Sequence, residues 1–380
     1  MPFAFIDLDI MEENTRQLLI RSQQKQVRLA TKSIRCRTIL DTLLKESDHI
    51  QGLMCFTAPE AVWLSEQGYD DLLIAYPTVH PKHLEAVARE VKKGKRIYLM
   101  TDHPEHLQRI NAVGAALDIC LPVCLDLDMS SKFPGIHFGV LRSSVASVAD
   151  CKTYLNALKD CPKVALKGVM GYEAQIAGLG DNVRGQAMKN AVIRKLKARS
   201  LKEITKRRQL VVELVKSAGH TLDFVNGGGT GSLESTREEE WVTEVTIGSG
   251  FYTSTLFDSY VKFRHLPSAA YAIEVVRKPA NDIYTCLGGG YVASGSVGTD
   301  KAPSVYLPEG AILTKNEMAG EVQTPVVYKG TESLEIGDPV FMRHSKAGEL
   351  CERFNDLYLI SKGKIVGQVK TYRGEGKSFL

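Results

Sequence analysis

Residues 27–32, VRLATK, form a short apolar run that ends in a polar pair, Thr31 and Lys32. A segment of helical period follows it over residues 37–45. A strand followed by a helix is the repeating unit of parallel sheets, because the helix returns the chain to the start of the next strand. The same pairing recurs along the chain, so this stretch is the first unit of a repeat.

Eight such runs follow one another in the first 260 residues. They cover residues 27–31, 52–56, 71–76, 96–100, 123–128, 166–172, 222–226 and 244–247. The helical intervals cover residues 37–45, 59–66, 80–91, 104–115, 143–158 and 182–218, and we expect two helices in the last of them. Eight strand–helix units favour a (β/α)8 TIM barrel over an open α/β sheet, and we place the barrel at residues 12–260.

The pattern changes after His265, where short β-like runs separated by turns replace the strand–helix alternation. These runs cover residues 269–277, 283–287, 326–328, 339–342, 357–361 and 364–369. The sequence therefore predicts a mostly β C-terminal domain at residues 265–380. The opening residues 1–11 contain another β-like run, and we expect them to join that β domain.

The composition is that of a soluble globular protein. Of 380 residues, 44% are hydrophobic and 24% are charged, and 48 Lys+Arg stand against 44 Asp+Glu. Basic residues crowd together at residues 189–208, where their spacing predicts the solvent-facing side of an amphipathic helix, so we expect neither a nucleic-acid nor a membrane partner. Eight cysteines without a signal peptide indicate reduced thiols, and we expect a cytoplasmic protein.

Polar residues follow the predicted strands, at the end of a barrel where active sites lie. Lys32 follows the first strand, and a neighbouring cation, Arg28 or Arg142, together with desolvation favours the neutral amine that reacts with aldehydes. Glycine-rich loops at residues 226–232 and 248–252 follow the last two strands and are suited to hold a phosphate. An amine and a phosphate cradle together indicate pyridoxal 5′-phosphate. A surface lysine and two tight turns are the alternative interpretation.

The sequence resembles the pyridoxal-phosphate-dependent enzymes with an alanine-racemase-like barrel (fold type III), in the branch of D-threonine aldolase and D-serine dehydratase. The resemblance extends over essentially the whole chain. It rests on residues 28–32 (RLATK), 126–128 (DLD), 137–142 (HFGVLR) and 171–172 (GY), and on the two glycine loops.

This resemblance implies roles for individual residues. Lys32 is the catalytic lysine that bonds to the cofactor, Arg142 approaches the cofactor's ring oxygen or the substrate carboxylate, and Tyr172 lies beside the ring. The residues implied to hold the phosphate are Gly228, Gly229, Thr230, Gly248, Ser249 and Tyr252. The resemblance further implies a homodimer and a small amino acid as substrate.

Two departures separate this chain from the alanine racemases of the resemblance. Those enzymes have an arginine two residues before the strand-eight glycine, and this chain has Thr246 there. They also use a tyrosine of the β domain as a second proton-transfer group, which has no clear counterpart here, although Tyr291 and Tyr306 are available. Both points favour the aldolase and dehydratase branch.

That branch carries a divalent metal on a His-x-Cys pair of the β domain, which polarises the substrate. Here His344 is followed by Lys346 two residues later, and the nearest thiol is Cys351. Either His344 shares an ion with Cys351 or Glu349, or it acts directly as a catalytic acid or base. Lys346 and its neighbour Arg343 are alternatively available for a second substrate carboxylate, and His344 for packing at a domain interface.

These observations predict a lyase that acts on a D-configured β-hydroxy amino acid, by retro-aldol cleavage or by elimination of water. The alternatives are an amino acid racemase or epimerase on the same fold, and a non-catalytic regulatory protein that carries pyridoxal phosphate.

Overall fold

The computed structural model describes residues 1–23, 25–295, 298–331 and 333–380. Up to the eighth helix the elements are β1 (Phe3–Asp7), α1 (Leu8–Ser22), β2 (Gln26–Ala30), α2 (Arg37–Glu46), β3 (Ile50–Cys55), α3 (Ala58–Glu66), β4 (Leu72–Ile74), α4 (Pro81–Lys92), β5 (Ile97–Thr101), α5 (Pro104–Leu117), β6 (Leu121–Asp126), β7 (Ser131–Phe133), β8 (Ile136–Phe138), α6 (Val148–Lys159), β9 (Val164–Gly171), α7 (Ala174–Ala177) and α8 (Ala187–Ser217).

The remaining elements are mostly strands. They are β10 (Phe224–Gly227), α9 (Leu233–Thr236), β11 (Glu244–Ile247), α10 (Ser249–Tyr252), β12 (Ala269–Ala280), β13 (Ile283–Leu287), β14 (Ser304–Leu307), β15 (Ile312–Leu313), β16 (Gln323–Val327), β17 (Pro339–Arg343), β18 (Asp356–Ser361) and β19 (Lys364–Lys370). Short 3-10 turns occupy Thr31–Ser33, Thr255–Ser259, Thr299–Lys301, Ala347–Glu352 and Arg373–Glu375.

Eight strands close into a parallel barrel in the order β2-β3-β4-β5-β6-β9-β10-β11, with β11 pairing with β2, and this is also their order along the chain. Each of the predicted runs contains or overlaps one of these strands. Apolar side chains fill the interior, where the rings of Tyr98 and Phe224 meet edge to face with centroids 4.9 Å apart. The predicted (β/α)8 barrel is confirmed.

Nine strands form a second sheet. Its main path is β15-β16-β13-β12-β1-β18-β19, and β17 joins β12 to β14. The first strand, β1, runs antiparallel to β12 and parallel to β18. The predicted mostly β C-terminal domain is confirmed.

By its internal packing the chain divides into two compact units, each discontinuous in sequence. The first, the sheet unit, consists of Met1–Leu18, Lys32–Thr42 and Gly248–Ser378. The second, the barrel unit, consists of Leu19–Thr31, Leu43–Ile247 and Phe379–Leu380. Lys32 therefore packs with the sheet unit, although it lies only two residues after the end of barrel strand β2.

Helix α8 corrects two expectations. Residues 187–217 form one continuous helix of 31 residues, since neither glycine nor proline interrupts them. The basic stretch is also not wholly solvent-facing, because Lys197 and Arg208 are buried. Lys197 is tolerated there because its Nζ lies 3.2 Å from the Asp181 carboxylate, and Arg208 because it pairs with two glutamates described below.

Within the described part of the chain, no helix is both long and apolar enough to cross a membrane. The eight cysteines are all free thiols, and of these Cys120 is exposed. Burial raises the pKa of Cys55 and Cys124 well above the ordinary value, so these thiols stay protonated and pack as small apolar groups.

Candidate active site

Lys32 lies in the 3-10 turn Thr31–Ser33, immediately after the first barrel strand. Thr31 ends that strand by donating a hydrogen bond from Oγ1 to the carbonyl of Met54 on β3, 3.0 Å away. The carbonyl of Lys32 accepts a hydrogen bond from Arg35 Nε at 2.9 Å, and the Lys32 side chain is exposed. The amine thus follows the carboxyl end of a barrel strand, where reactive groups of barrel enzymes are found.

Within the sheet unit, the turn that carries Lys32 is fastened to the turn Ala347–Glu352. A Cβ atom at Gly348 would lie 2.3 Å from the carbonyl oxygen of Lys32, so only glycine fits at that position. Cys351 Sγ donates to the carbonyl of Ile34 at 3.3 Å, and Glu352 forms an ion pair with Arg35. Three contacts therefore hold a C-terminal segment against the candidate cofactor lysine.

The first glycine loop follows β10 in the barrel unit. Gly228 has a positive φ of 76°, and its N–H donates to Glu173 Oε2 at 3.2 Å. The Gly229 N–H donates to Ser232 Oγ at 3.0 Å. A Cβ atom at Gly229 would lie 3.2 Å from Tyr172 Cε2, so the structure brings Tyr172 together with both glycines.

Arg21 supports the same loop from helix α1. Its Nη2 donates to the carbonyl of Thr230 at 2.7 Å, and its Nε pairs with Glu234 Oε1 at 2.6 Å. The loop is therefore held in place by the protein itself, as a preorganised binding loop requires.

The second glycine loop, at Gly248 and helix α10, lies in the sheet unit. Ser249 Oγ lies 3.1 Å from Ser33 Oγ, beside Lys32. The fully buried Tyr252 donates its hydroxyl proton to the carbonyl of Ile34 at 3.1 Å. Ser249 and Tyr252 are thus brought to the turn of Lys32, but a phosphate contact from Tyr252 requires that this hydrogen bond be given up.

A buried ion network behind the first glycine loop is absent from the sequence-based prediction. Arg208 Nη2 donates to the carbonyl of Gly171 at 2.9 Å and to Glu173 Oε2 at 3.1 Å, and Nη1 pairs with Glu239. Thr236 donates to the other oxygen of Glu173. Burial lowers the pKa of Arg208, but the two glutamates outweigh it and raise the pKa overall.

Sequence does contain a signal for this network. Arg208 falls at helical spacing with the buried residues Ile204, Val211, Val212 and Val215, on the apolar side of α8. A cation on the apolar side of a helix requires buried carboxylates as partners.

Arg142 lines a cavity of about 440 Å³ in the barrel unit, together with Asp102 and His106. Asp102 holds the loop that presents Arg142, because its Oδ2 accepts from the Ser144 N–H at 2.8 Å. His106 Nδ1 lies 3.1 Å from Asp102 Oδ1. Burial and then the charges of Asp102 and Asp128 raise the pKa of Asp126 to about 7, against the opposing effect of Arg142.

Thr246, which stands at the position of the racemase arginine, lies in a closed hydrogen-bond network. Asn226 Nδ2 donates to Thr246 Oγ1 and to Glu244 Oε1, both at 2.8 Å. Arg28 pairs with Glu244 at 2.7 Å and with Asp71 at 2.9 Å. The charge of Arg28 is therefore balanced by two carboxylates inside the barrel.

His344 follows β17 directly and lines a cavity of about 390 Å³ in the sheet unit. The ring is 3% exposed, and neither nitrogen has a hydrogen-bond partner among the described residues. Burial, and to a lesser degree Arg343, lowers the pKa of His344 to about 3, so the imidazole is neutral. Tyr291 lines the same cavity, whereas Tyr306 lies on β14 with 36% of its surface exposed.

The side chains around His344 do not fit a divalent metal ion. Lys346 stands at the position where the resemblance implies a cysteine ligand, and its Nζ contacts Ser294 at 3.3 Å. Cys351 is turned toward Ile34, and burial raises the pKa of its thiol. No group of three or more His, Cys, Asp or Glu side chains in the described ranges is arranged to hold an ion.

Pyridoxal phosphate, in contrast, fits the residues present. An amine follows the first strand, and Ser249 of the second glycine loop lies against the turn that carries it, within the same unit. Lys32 would bond to the cofactor, and the loop of Gly248 and Ser249 would hold its phosphate.

Comparisons with known proteins agree with the expected resemblance. A 3-hydroxy-D-aspartate aldolase of Paracoccus denitrificans (strain Pd 1222) is 21% identical over 249 residues, which are 65% of this chain and 59% of that protein. A D-threonine aldolase of Arthrobacter sp is 22% identical over 361 residues, which are 90% of this chain and 87% of that protein. The crystal structure of D-threonine aldolase from Filomicrobium marinum has a TM-score of 0.82 at 15% identity and covers 98% of this chain and 95% of that one.

The family model described as alanine racemase, N-terminal domain, matches residues 6–255 and so covers the whole barrel. The chain therefore belongs to the alanine racemase N-terminal domain family.

Proposed function

We propose that this protein is a pyridoxal-phosphate-dependent lyase that cleaves a D-configured β-hydroxy amino acid. One observation carries the proposal: within the sheet unit, the turn of Lys32 contacts both the second glycine loop and the segment that follows His344. A covalent anchor, a phosphate loop and a neutral imidazole are the groups that such a reaction needs. The aldolase names of the two relatives support the same reaction class.

When bound, pyridoxal phosphate withdraws electrons from the carbon that bears the substrate's amino group. The chain's own residues are proposed to bind and orient the cofactor and the substrate. Lys32 Nζ would bond to the cofactor, Arg142 would bind a carboxylate or the ring oxygen, and Tyr172 would lie beside the ring. The proposed phosphate contacts are Gly228, Gly229 and Thr230 in the barrel unit and Gly248, Ser249 and Tyr252 in the sheet unit.

The neutral ring of His344 is better suited to accept a proton than to give one up, although its lowered pKa makes it a weak base. In aldol cleavage the Cα–Cβ bond breaks and the β-hydroxyl loses its proton, which a neutral imidazole nitrogen accepts. In dehydration the hydroxyl leaves and must gain a proton, which a neutral imidazole gives up poorly. His344 is therefore proposed as the base that removes the hydroxyl proton.

The first test is cofactor uptake by the purified protein. Added pyridoxal phosphate should produce a yellow protein, and borohydride should fix the cofactor on Lys32, as read by peptide mass spectrometry. The Lys32→Ala variant should show no such attachment. A wild-type protein that stays colourless with excess cofactor contradicts the proposal.

The second test assays D- and L-threonine, D-serine and D-3-hydroxyaspartate for aldehyde, ammonia and 2-oxo acid. We expect aldehyde from D-isomers only. Racemisation without cleavage would support the second candidate, a racemase, for which Tyr291 in the His344 cavity supplies a further proton-transfer group. Cofactor uptake without any turnover would indicate the regulatory protein.

A further inference from the structure

We propose that the cavity at His344 is a carboxylate-binding subsite built on Lys346 and Arg353, in the place that the family resemblance assigns to a divalent metal. The inference rests on the proposed function and deepens it. It names the substrate class as a D-β-hydroxy amino acid with a second carboxylate.

The first support is the balance of charge around the cavity. Among the residues that the structure describes, neither Lys346 nor Arg353 forms an ion pair, although both line the cavity. The carboxylates of the lining are already engaged: Glu349 accepts from the Ser294 N–H at 3.0 Å, and Glu352 pairs with Arg35. Lys346 is therefore a lining cation without an ionic partner among the described residues, whereas the exposed Arg353 lies over the ring of Tyr291, 5.8 Å from its centroid.

Arg343, the other cation of this segment, does not share this property. Its guanidinium forms a two-point ion pair with Asp258, at 2.7 and 2.9 Å. Lys346 is therefore better suited than Arg343 to bind a substrate carboxylate, because Arg343 already has an anionic partner. The contacts of Lys346 Nζ to Ser294, both 3.3 Å, are long for a charged donor, so an anion would displace them readily.

The second support is the unpartnered ring of His344. A buried imidazole without hydrogen bonds is costly, because both nitrogens lose water and gain nothing. A carboxylate oxygen in the cavity would accept the ring N–H. A divalent cation would instead meet Lys346 and Arg353, with His344 and Glu349 as the sole candidate ligands in the described lining.

The third support is the position of the cavity relative to Lys32. Lys346 precedes by two residues the glycine that packs on the Lys32 carbonyl. A volume of about 390 Å³ is in the range of small-ligand sites and holds a four-carbon acid with ease. The segment that lines the cavity is thus packed on the backbone of the Lys32 turn through Gly348.

The test compares succinate with butyrate, a pair of four-carbon acids that differ by one carboxylate and cannot react. Calorimetry on the protein loaded with pyridoxal phosphate should show succinate binding at least tenfold more tightly. Lys346→Met should remove most of that preference, since a charged hydrogen bond contributes about 10- to 100-fold. Lys346→Arg should retain it, and the exposed Lys329→Met should behave as wild type.

Equal binding of the two acids, no succinate binding at tens of millimolar, or an intact preference in Lys346→Met would each overturn the subsite. Cofactor uptake is read separately from the absorbance. A yellow protein without the succinate preference therefore refutes the inference alone, and a protein with the preference but without cofactor refutes the proposed function.

A metal titration tests the competing interpretation, in which His344 binds a divalent ion. We expect no stoichiometric Zn²⁺ in the wild-type protein by elemental analysis or calorimetry. Lys346→Cys restores a His-x-Cys pair and should gain Zn²⁺ affinity at least 100-fold. Tight Zn²⁺ binding by the wild type that His344→Leu abolishes would overturn the inference.

Discussion

In the barrel unit, the buried arginines Arg28 and Arg208 each contact two carboxylates, whereas in the sheet unit the buried ring of His344 has no hydrogen-bond partner among the described residues. Both regions remove polar groups from water, which is costly unless partners replace it. The barrel pairs the charges of both arginines internally, although Arg208 Nε and Glu239 Oε2 have no hydrogen-bond partner among the described residues, so these ion pairs serve the scaffold. The cavity at His344 is left incomplete, as expected of a place where a ligand supplies the missing partner.

The largest expected effect comes from breaking the buried ion pairs of Arg208 in the barrel unit. Arg208→Met leaves Glu173 and Glu239 buried together without their cation, and should reduce the free energy of unfolding by about 3–5 kcal/mol. Urea denaturation measures it. Lys206→Met, on the exposed side of the same helix, should cost less than about 0.5 kcal/mol.

Equal losses of unfolding free energy in Arg208→Met and Lys206→Met would mean that the buried network does not support the barrel. If Arg208→Met fails to fold, the isosteric Glu173→Gln gives a milder test, with an expected loss of about 1–3 kcal/mol.

The incomplete region predicts a dependence on pH. The pKa of His344 is about 3 in the folded protein and about 6.5 in an unfolded chain, so between these values the unfolded state binds more protons. Its contribution to stability is present above pH 6.5 and is lost as the pH falls, by about 2 kcal/mol at pH 5. In His344→Leu this part of the decline should disappear.

Denaturation midpoints between pH 5 and 8 check the prediction. His49→Gln, at an exposed position, should keep the wild-type decline. A decline of unchanged steepness in His344→Leu would show that the ring is not buried in the neutral form.

Tyr252 shares features of both regions. Its hydroxyl has a partner in the structure, as the barrel arginines do, and it is also proposed to contact a ligand, the phosphate. Tyr252→Phe removes the hydrogen bond to Ile34 and should cost about 1 kcal/mol of stability without cofactor. If the hydroxyl also turns to the phosphate, the affinity for pyridoxal phosphate should fall about tenfold. Tyr358→Phe on β18 is the control, and unchanged cofactor affinity would restrict Tyr252 to supporting the Lys32 turn.

The barrel strands and the place of Lys32 were predictable because both are local properties of the sequence. An apolar run marks a buried strand wherever its neighbours lie, and the residue after it leaves the barrel at a known end. Local patterns failed for α8, where Arg208 was assigned to the solvent-facing side. Its partners Glu173 and Glu239 are 35 and 31 residues away, and only the folded chain brings them together.

The remaining omissions have the same physical origin. Strands β7, β8, β14 and β15 have two to four residues each, too few for a period to be visible. The contact of Gly348 with Lys32 joins segments more than 300 residues apart, and neither segment has a feature that points to the other.

That contact also determines when, during synthesis, the Lys32 turn can reach its final conformation. The residues that hold the Lys32 turn at Gly348 and Cys351 are translated more than 300 residues after it. The barrel strands are complete before then, but the turn lacks these contacts until the later segment has been made. A nascent chain is therefore expected to acquire its finished cofactor turn well after its barrel strands.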